Sequence, residues 1–305
     1  MERGLSIVAP LTGRRTLART GARLHRMRCP ALRSSGGRVR EVRVPDGRHT
    51  ARSAVVLDHV AVGVSTLDDG WELFGGLLGG AWAYGGHSPG FWWGQLQFST
   101  GPKVELLTPT GGPDAAFLER FLAARGPGFH HLNFLVPAIE VTLGKLEALA
   151  VEPVGVRVQD PRWKEAFLRP GDAFGTVIQV AEQAGPPLSS APPAGLGEQG
   201  PSCSLTAVEL PVGDIDDAMR VFHEALEGEV RSRHDTAGGP TVELGWRNGA
   251  RLRLVQEAAA GDGRPRSGAG IAHLEFSRDR GTFGPADLDK AAVLSHRLGV
   301  SVQLG

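Results

Sequence analysis

Two cysteines in 305 residues, Cys29 and Cys203, leave no material for a disulfide framework or a thiolate metal site. A reducing, cytoplasmic location is the expectation that follows. Long apolar runs are missing too: the longest uncharged stretch, Leu73 to Pro102, is interrupted by Gly, Gln, His and Ser, which argues against a membrane span. No GxGxxG leads from a strand pattern into a helix and no GxxxxGK[ST] occurs, so the 43 glycines build no phosphate-binding loop. Net charge is absent as well, yet its zero hides an imbalance. Residues 1–52 carry 13 Arg and no Lys against Glu2, Glu41 and Asp46, so this segment is +10 and the rest of the chain −10. No nucleic-acid partner is therefore expected for the folded part. Lacking periodicity and any continuous apolar core, residues 1–52 are expected to be disordered. They read as an upstream extension or mis-assigned start, with a targeting segment or a nucleic-acid arm as alternatives.

What is present is 41% apolar content, enough for two domains, arranged as a repeat. An alternating segment from Val55 to Val64 leads into a helix opening near Asp68, then into extended segments AWAYGG, FWWGQLQFS and KVELLT. After a connector helix from Pro113 to about Arg125 the order restarts with GFHHLNFLV, a helix bearing Ile139, Leu143 and Leu146, and then VGVRV, KEAFLR and TVIQVA. The pattern predicts an α+β fold of paired βαβββ modules. Residues 53–183 hold the first pair. Residues 184–202, rich in Pro, Gly and Ala, are a linker, and 203–305 hold a second, degenerate pair whose fourth module runs out after one strand, a helix and VSVQLG.

Ligand-type residues recur in step with this repeat. His59 precedes Glu105 by 46 positions, His131 precedes Gln179 by 48, and the second pair trails the first by 72 and 74. Two imidazoles with a carboxylate and an amide oxygen suit a divalent metal such as Zn, Co, Ni, Mn or Fe. Strand alternation assigns His131, and not His130, as the partner of His59, leaving His130 to a core or rim role. Burying Glu105 on an apolar strand without a cation would be costly, which strengthens the joint reading.

LDHVAVGV, KVELLTP, GFHHLNFLV and GTVIQVAEQ together resemble the vicinal oxygen chelate superfamily, most of all its methylmalonyl-CoA epimerase branch and more distantly glyoxalase I. The resemblance implies a cupped sheet around a metal held by His59, Glu105, His131 and Gln179, and a possible homodimer. In those enzymes the last ligand position is a glutamate that also moves protons, whereas Gln179 cannot accept a proton from carbon. The base is then sought in Glu105 or in Glu165, although a solvated strand residue is the plainer reading of Glu165. The expected activity is that of a metal-dependent isomerase or lyase working on a small carbonyl or acyl-thioester substrate through a metal-stabilised enolate. A non-catalytic small-molecule binding or resistance protein and a non-haem iron dioxygenase are the alternatives. In the second pair Ala207 and Arg253 stand where His59 and Glu105 do, so that half is expected to be inactive.

Overall fold

The computed structural model describes residues 54–171, 174–186, 190–192, 202–236, 239–257 and 270–305. The N-terminal segment, Cys29 and most of the linker lie outside the described residues. Two sheets of βαβββ modules form, in the α+β architecture the repeat predicts.

The first module contributes β1 (Val56–Gly63), α1, β2 (Ala81–Ser88), β3 (Phe91–Gln97) and β4 (Lys103–Pro109). Helix α1 opens as one α turn at Asp68–Gly70 and continues with the wider π-type hydrogen bonding over Trp71–Leu77. The wider turn brings Leu73 as well as Phe74 to full burial, while Trp71 stays half-buried against Trp82 and Trp92. Helix α2 (Ala116–Arg125) connects to β5 (Gly128–Leu135), α3 (Ile139–Ala148), β6 (Val154–Arg157), β7 (Trp163–Leu168) and β8 (Val177–Gln183). The eight strands lie in the order β2-β3-β4-β1-β5-β8-β7-β6, so the two modules meet where β1 runs antiparallel to β5.

The second sheet repeats the first six positions of this order: β10 (Glu229–Thr236), β11 (Gly239–Gly245), β12 (Arg251–Gln256), β9 (Cys203–Val212), β13 (His273–Arg278) and β14 (Val302–Leu304). Helix α4, an α turn at Ile215–Met219 followed by a π-type stretch Arg220–Ala225, matches α1 in both position and irregularity. Helix α5 (Pro285–Arg297) leads directly into β14, which pairs parallel with β13. That is the slot β8 fills beside β5 in the first sheet. Strand β14 thus takes the site-forming position beside β13.

Both sheets turn their helix-covered faces toward each other. Phe134 of β5 meets Trp246 at 5.3 Å, and Phe98 meets Phe276 of β13 at 5.0 Å, within one apolar core that includes Phe74 and Phe222. Each such aromatic ring taken out of water is worth about 2–3 kcal/mol. Because Val60, Val104 and Leu132 enter this shared core, period-two alternation sends Ala61, Glu105 and His131 to the opposite, concave face. The two cups therefore open away from each other.

Candidate metal centre

His59, Glu105 and His131 converge in the first cup, each offering a ligand atom within 4.8 Å of the others. Strand register explains it: Ala61 is paired on one side with Glu105 and on the other with His131, and His59 lies two residues before Ala61 on the same face. The two imidazoles stand edge to face with ring centres 5.4 Å apart. Glu105 Oε2 lies 3.4 Å from His59 Nε2 and 3.9 Å from His131 Nε2. Its other oxygen accepts from Gln95 Nε2 at 2.9 Å.

The electrostatics couple Glu105 to His59 and set His131 apart. Burial opposes a charge on His59, but the Glu105 carboxylate, helped by Asp58, raises its pKa to about 9. Burial likewise opposes ionisation of Glu105, yet His59 and Gln95 lower its pKa on balance. Burial, then the neighbouring His130 and His59, pushes His131 well below its usual range. Both His59 Nε2 and His131 Nε2 are buried without a hydrogen-bond partner, and so is Asn133 Oδ1 on the same floor. Leaving such groups unsatisfied costs about 1–3 kcal/mol each. Two ligands on a tetrahedral zinc-sized ion sit about 3.4 Å apart, so the donor set fits a divalent metal with only a small contraction at His131.

Gln179 reaches the same floor, 8% exposed, with its amide already engaged. Its Nε2 donates to Glu165 Oε2 at 2.9 Å, and its Oε1 accepts from Asn133 Nδ2 at 2.8 Å. The Glu165 carboxylate fixes this orientation, because only the amide nitrogen can donate to it. Glu165 is not solvated, contrary to the plainer expectation. It is 9% exposed and also receives Trp163 Nε1 at 3.0 Å and Arg157 Nη1 at 3.3 Å. Glu182 faces the other way, accepting from the Ile139 amide at the start of α3 and pairing with Lys164.

Alternation fails at His130. In β1–β5 pairing Ala61 meets His131 while Val62 meets Phe129, so His130 is the extra residue of a β-bulge. It is therefore neither a core residue of the opposite face nor a rim residue. It lies between the rings of Phe117 and Phe121 with its Nδ1 2.9 Å from His131 Nδ1. Burial lowers its pKa to about 4, which keeps it neutral at pH 7. Trp93 joins the same α2-side apolar cluster on the cup face, whereas Trp92 turns to the helix layer.

The fold defines a class of proteins built from paired βαβββ modules around a cup, and the comparisons agree on that fold. Residues 58–167, about a third of the chain, match the family model of the Glyoxalase/Bleomycin resistance protein/Dioxygenase superfamily, to which the vicinal oxygen chelate fold belongs. Among solved structures, 4-hydroxymandelate synthase from Streptomyces coelicolor, in a mutant form, is similar over 79% of this chain and 74% of its own, at 14% identity and TM-score 0.52. Methylmalonyl-CoA epimerase from Mycobacterium tuberculosis is 26% identical over 45% of this chain and 94% of its own, with TM-score 0.40. No curated protein matches. Among the described residues no helix is long and apolar enough to cross a membrane.

Proposed function

We propose that the first cup is the active site of a metal-dependent isomerase or lyase of glyoxalase or epimerase type, acting on a small carbonyl or acyl-thioester substrate. The observation that carries this reading is the pair of buried, unpartnered imidazole nitrogens on either side of the Glu105 carboxylate. His59, His131 and Glu105 would hold the metal, and Gln179, whose amide oxygen accepts from Asn133 through one lone pair, could add the other. When bound, a divalent metal supplies Lewis-acid stabilisation of negative charge on a substrate oxygen.

The chain's own residues then have to move a proton. Glu105 is tied down by Gln95 and directed at both imidazoles, which leaves it a ligand and not a base. Glu165 is the carboxylate on the floor beside Gln179, held by three donors that aim it. In this reading Glu165 takes the hydrogen on the carbon next to the carbonyl. The C–H electron pair passes into an enolate, and Glu165 or water returns the proton to carbon. Such a positioned base contributes roughly 10²–10⁴ in rate.

The test is exchange of the substrate α-hydrogen with deuterated solvent, across a panel of 2-substituted acyl thioesters and hydroxycarbonyl compounds with Zn or Co. Exchange by the wild type that falls by roughly 10² or more in Glu165→Gln, with metal content unchanged, is the expected result. Full exchange in the variant would remove Glu165 from the role, and ligand-dependent stabilisation with no exchange anywhere would mark a binding protein.

One observation favours a second reading. With the Gln179 oxygen engaged, the free donors are two imidazoles and one carboxylate, the set that holds ferrous iron in non-haem oxygenases. Oxygen consumption that requires ferrous iron would establish it.

A further inference from the structure

Both imidazoles of the cup have an extruded residue immediately before them. In β1, Leu57 pairs with Phe134 and His59 with Asn133, so Asp58 is the unpaired residue of one bulge. In β5, His130 is the unpaired residue of the other. A bulge tips its extra side chain out of strict alternation, and here both are tipped onto the ring that follows. Asp58 Oδ2 lies 2.8 Å from His59 Nδ1, its other oxygen held by Lys103. His130 Nδ1 lies 2.9 Å from His131 Nδ1. In each case the contact uses Nδ1, and in each case the nitrogen left unpartnered is Nε2.

The second sheet supplies the control. Thr206 is extruded before Ala207 in β9, the strand equivalent to β1, but no imidazole follows and its hydroxyl bonds the Glu275 carbonyl. His273, equivalent to His131, is the first residue of β13, and carboxylates stand against both of its nitrogens.

Resting on the metal-centre reading above, we propose that His130 is a positioning residue: its Nδ1 accepts the Nδ1 proton of His131 and so presents His131 Nε2 to the metal, as Asp58 does for His59. The two ligands are then unequal. A carboxylate behind His59 strengthens it as a donor, whereas a neutral imidazole behind His131 orients without adding charge.

The experiment compares full-length wild type, His130→Phe and His130→Gln by titration with Co(II) against a chromophoric chelator, with His59→Ala as the reference for a lost ligand. Phe fits between Phe117 and Phe121 but accepts nothing, and Gln restores an acceptor, so thermal melts of both variants check the fold. Loss of roughly 10–100-fold in Co(II) affinity in His130→Phe, with most of it recovered in His130→Gln, is expected. The zinc-loaded wild type should also show an exchange-protected His131 Nδ1 proton that disappears in His130→Phe. Wild-type affinity and an unchanged proton signal in folded His130→Phe would overturn the positioning role alone. If the wild type itself bound no Co(II), or His59→Ala bound it equally well, the metal-centre reading would fall and this one with it.

Discussion

The two cups are built on the same register and carry opposite solutions to the same electrostatic problem. Position for position, Glu105 corresponds to Arg253, His131 to His273, Ala61 to Glu209, Asn133 to Glu275 and Gln95 to Glu243. In the first cup one buried carboxylate faces two imidazoles whose inner nitrogens lack partners. In the second the central residue is a cation, and carboxylates have gathered around it. Arg253 bonds both oxygens of Glu275 and lies 3.6 Å from Glu209 and 3.7 Å from Glu243. Glu209, His273 and Glu275 also offer ligand atoms within 4.8 Å of one another, yet the guanidinium already supplies the positive charge that a metal would bring. The second cup thus holds a fixed cation in Arg253, whereas in the first the charge opposite Glu105 is a proton on His59, which a bound metal would displace.

Removing that built-in cation is the strongest way to break the comparison. Arg253→Met should destabilise the protein by about 2 kcal/mol, less than the loss of one partner from a fully buried ion pair because the side chain is partly exposed. The variant should also gain what the wild-type second cup lacks, a melting temperature that rises with added divalent metal. A melting curve indifferent to metal would show that the carboxylates are too far apart to share an ion. A smaller effect comes from acid. Burial raises the Glu275 pKa but Arg253 outweighs it, so the folded value lies below the ordinary 4.5. The stability contributed by this pair is therefore present above pH 4.5 and fades as pH falls below it. Glu275→Gln should flatten that part of the pH–stability curve, by about 1 kcal/mol or less for a pair this exposed. An unchanged slope would assign the acid sensitivity elsewhere.

Strand phase carried much of the first site. His59, Glu105 and His131 stand on one face because alternation, applied to LDHVAV, KVELL and FHHLNF, puts them there. Alternation also misplaced His130 and gave no role to Asp58, since a bulge arises from how β1 pairs with β5 and neither segment announces it alone. Gln95 and Asn133 went unnoticed as amides within apolar strands. The signal was available: Asn133 is two residues beyond His131, hence on its face, and Gln95 sits mid-strand among aromatic residues with a polar group to satisfy. Glu209 and Glu275 are not legible by analogy, because they stand where the first half has Ala61 and Asn133 and not at its ligand positions. The parallel pairing of β14 with β13 is a long-range choice that VSVQLG does not encode by itself.

The central claim, that the two imidazoles and carboxylate of the first cup form a metal site while Arg253 takes the metal's place in the second, is tested most directly by metal stoichiometry. Elemental analysis of protein reconstituted with zinc and desalted would compare wild type, Glu105→Ala and His273→Ala. One equivalent in wild type and in His273→Ala, and none in Glu105→Ala, is the predicted result. Zinc retained by folded Glu105→Ala, or lost from His273→Ala, would contradict it.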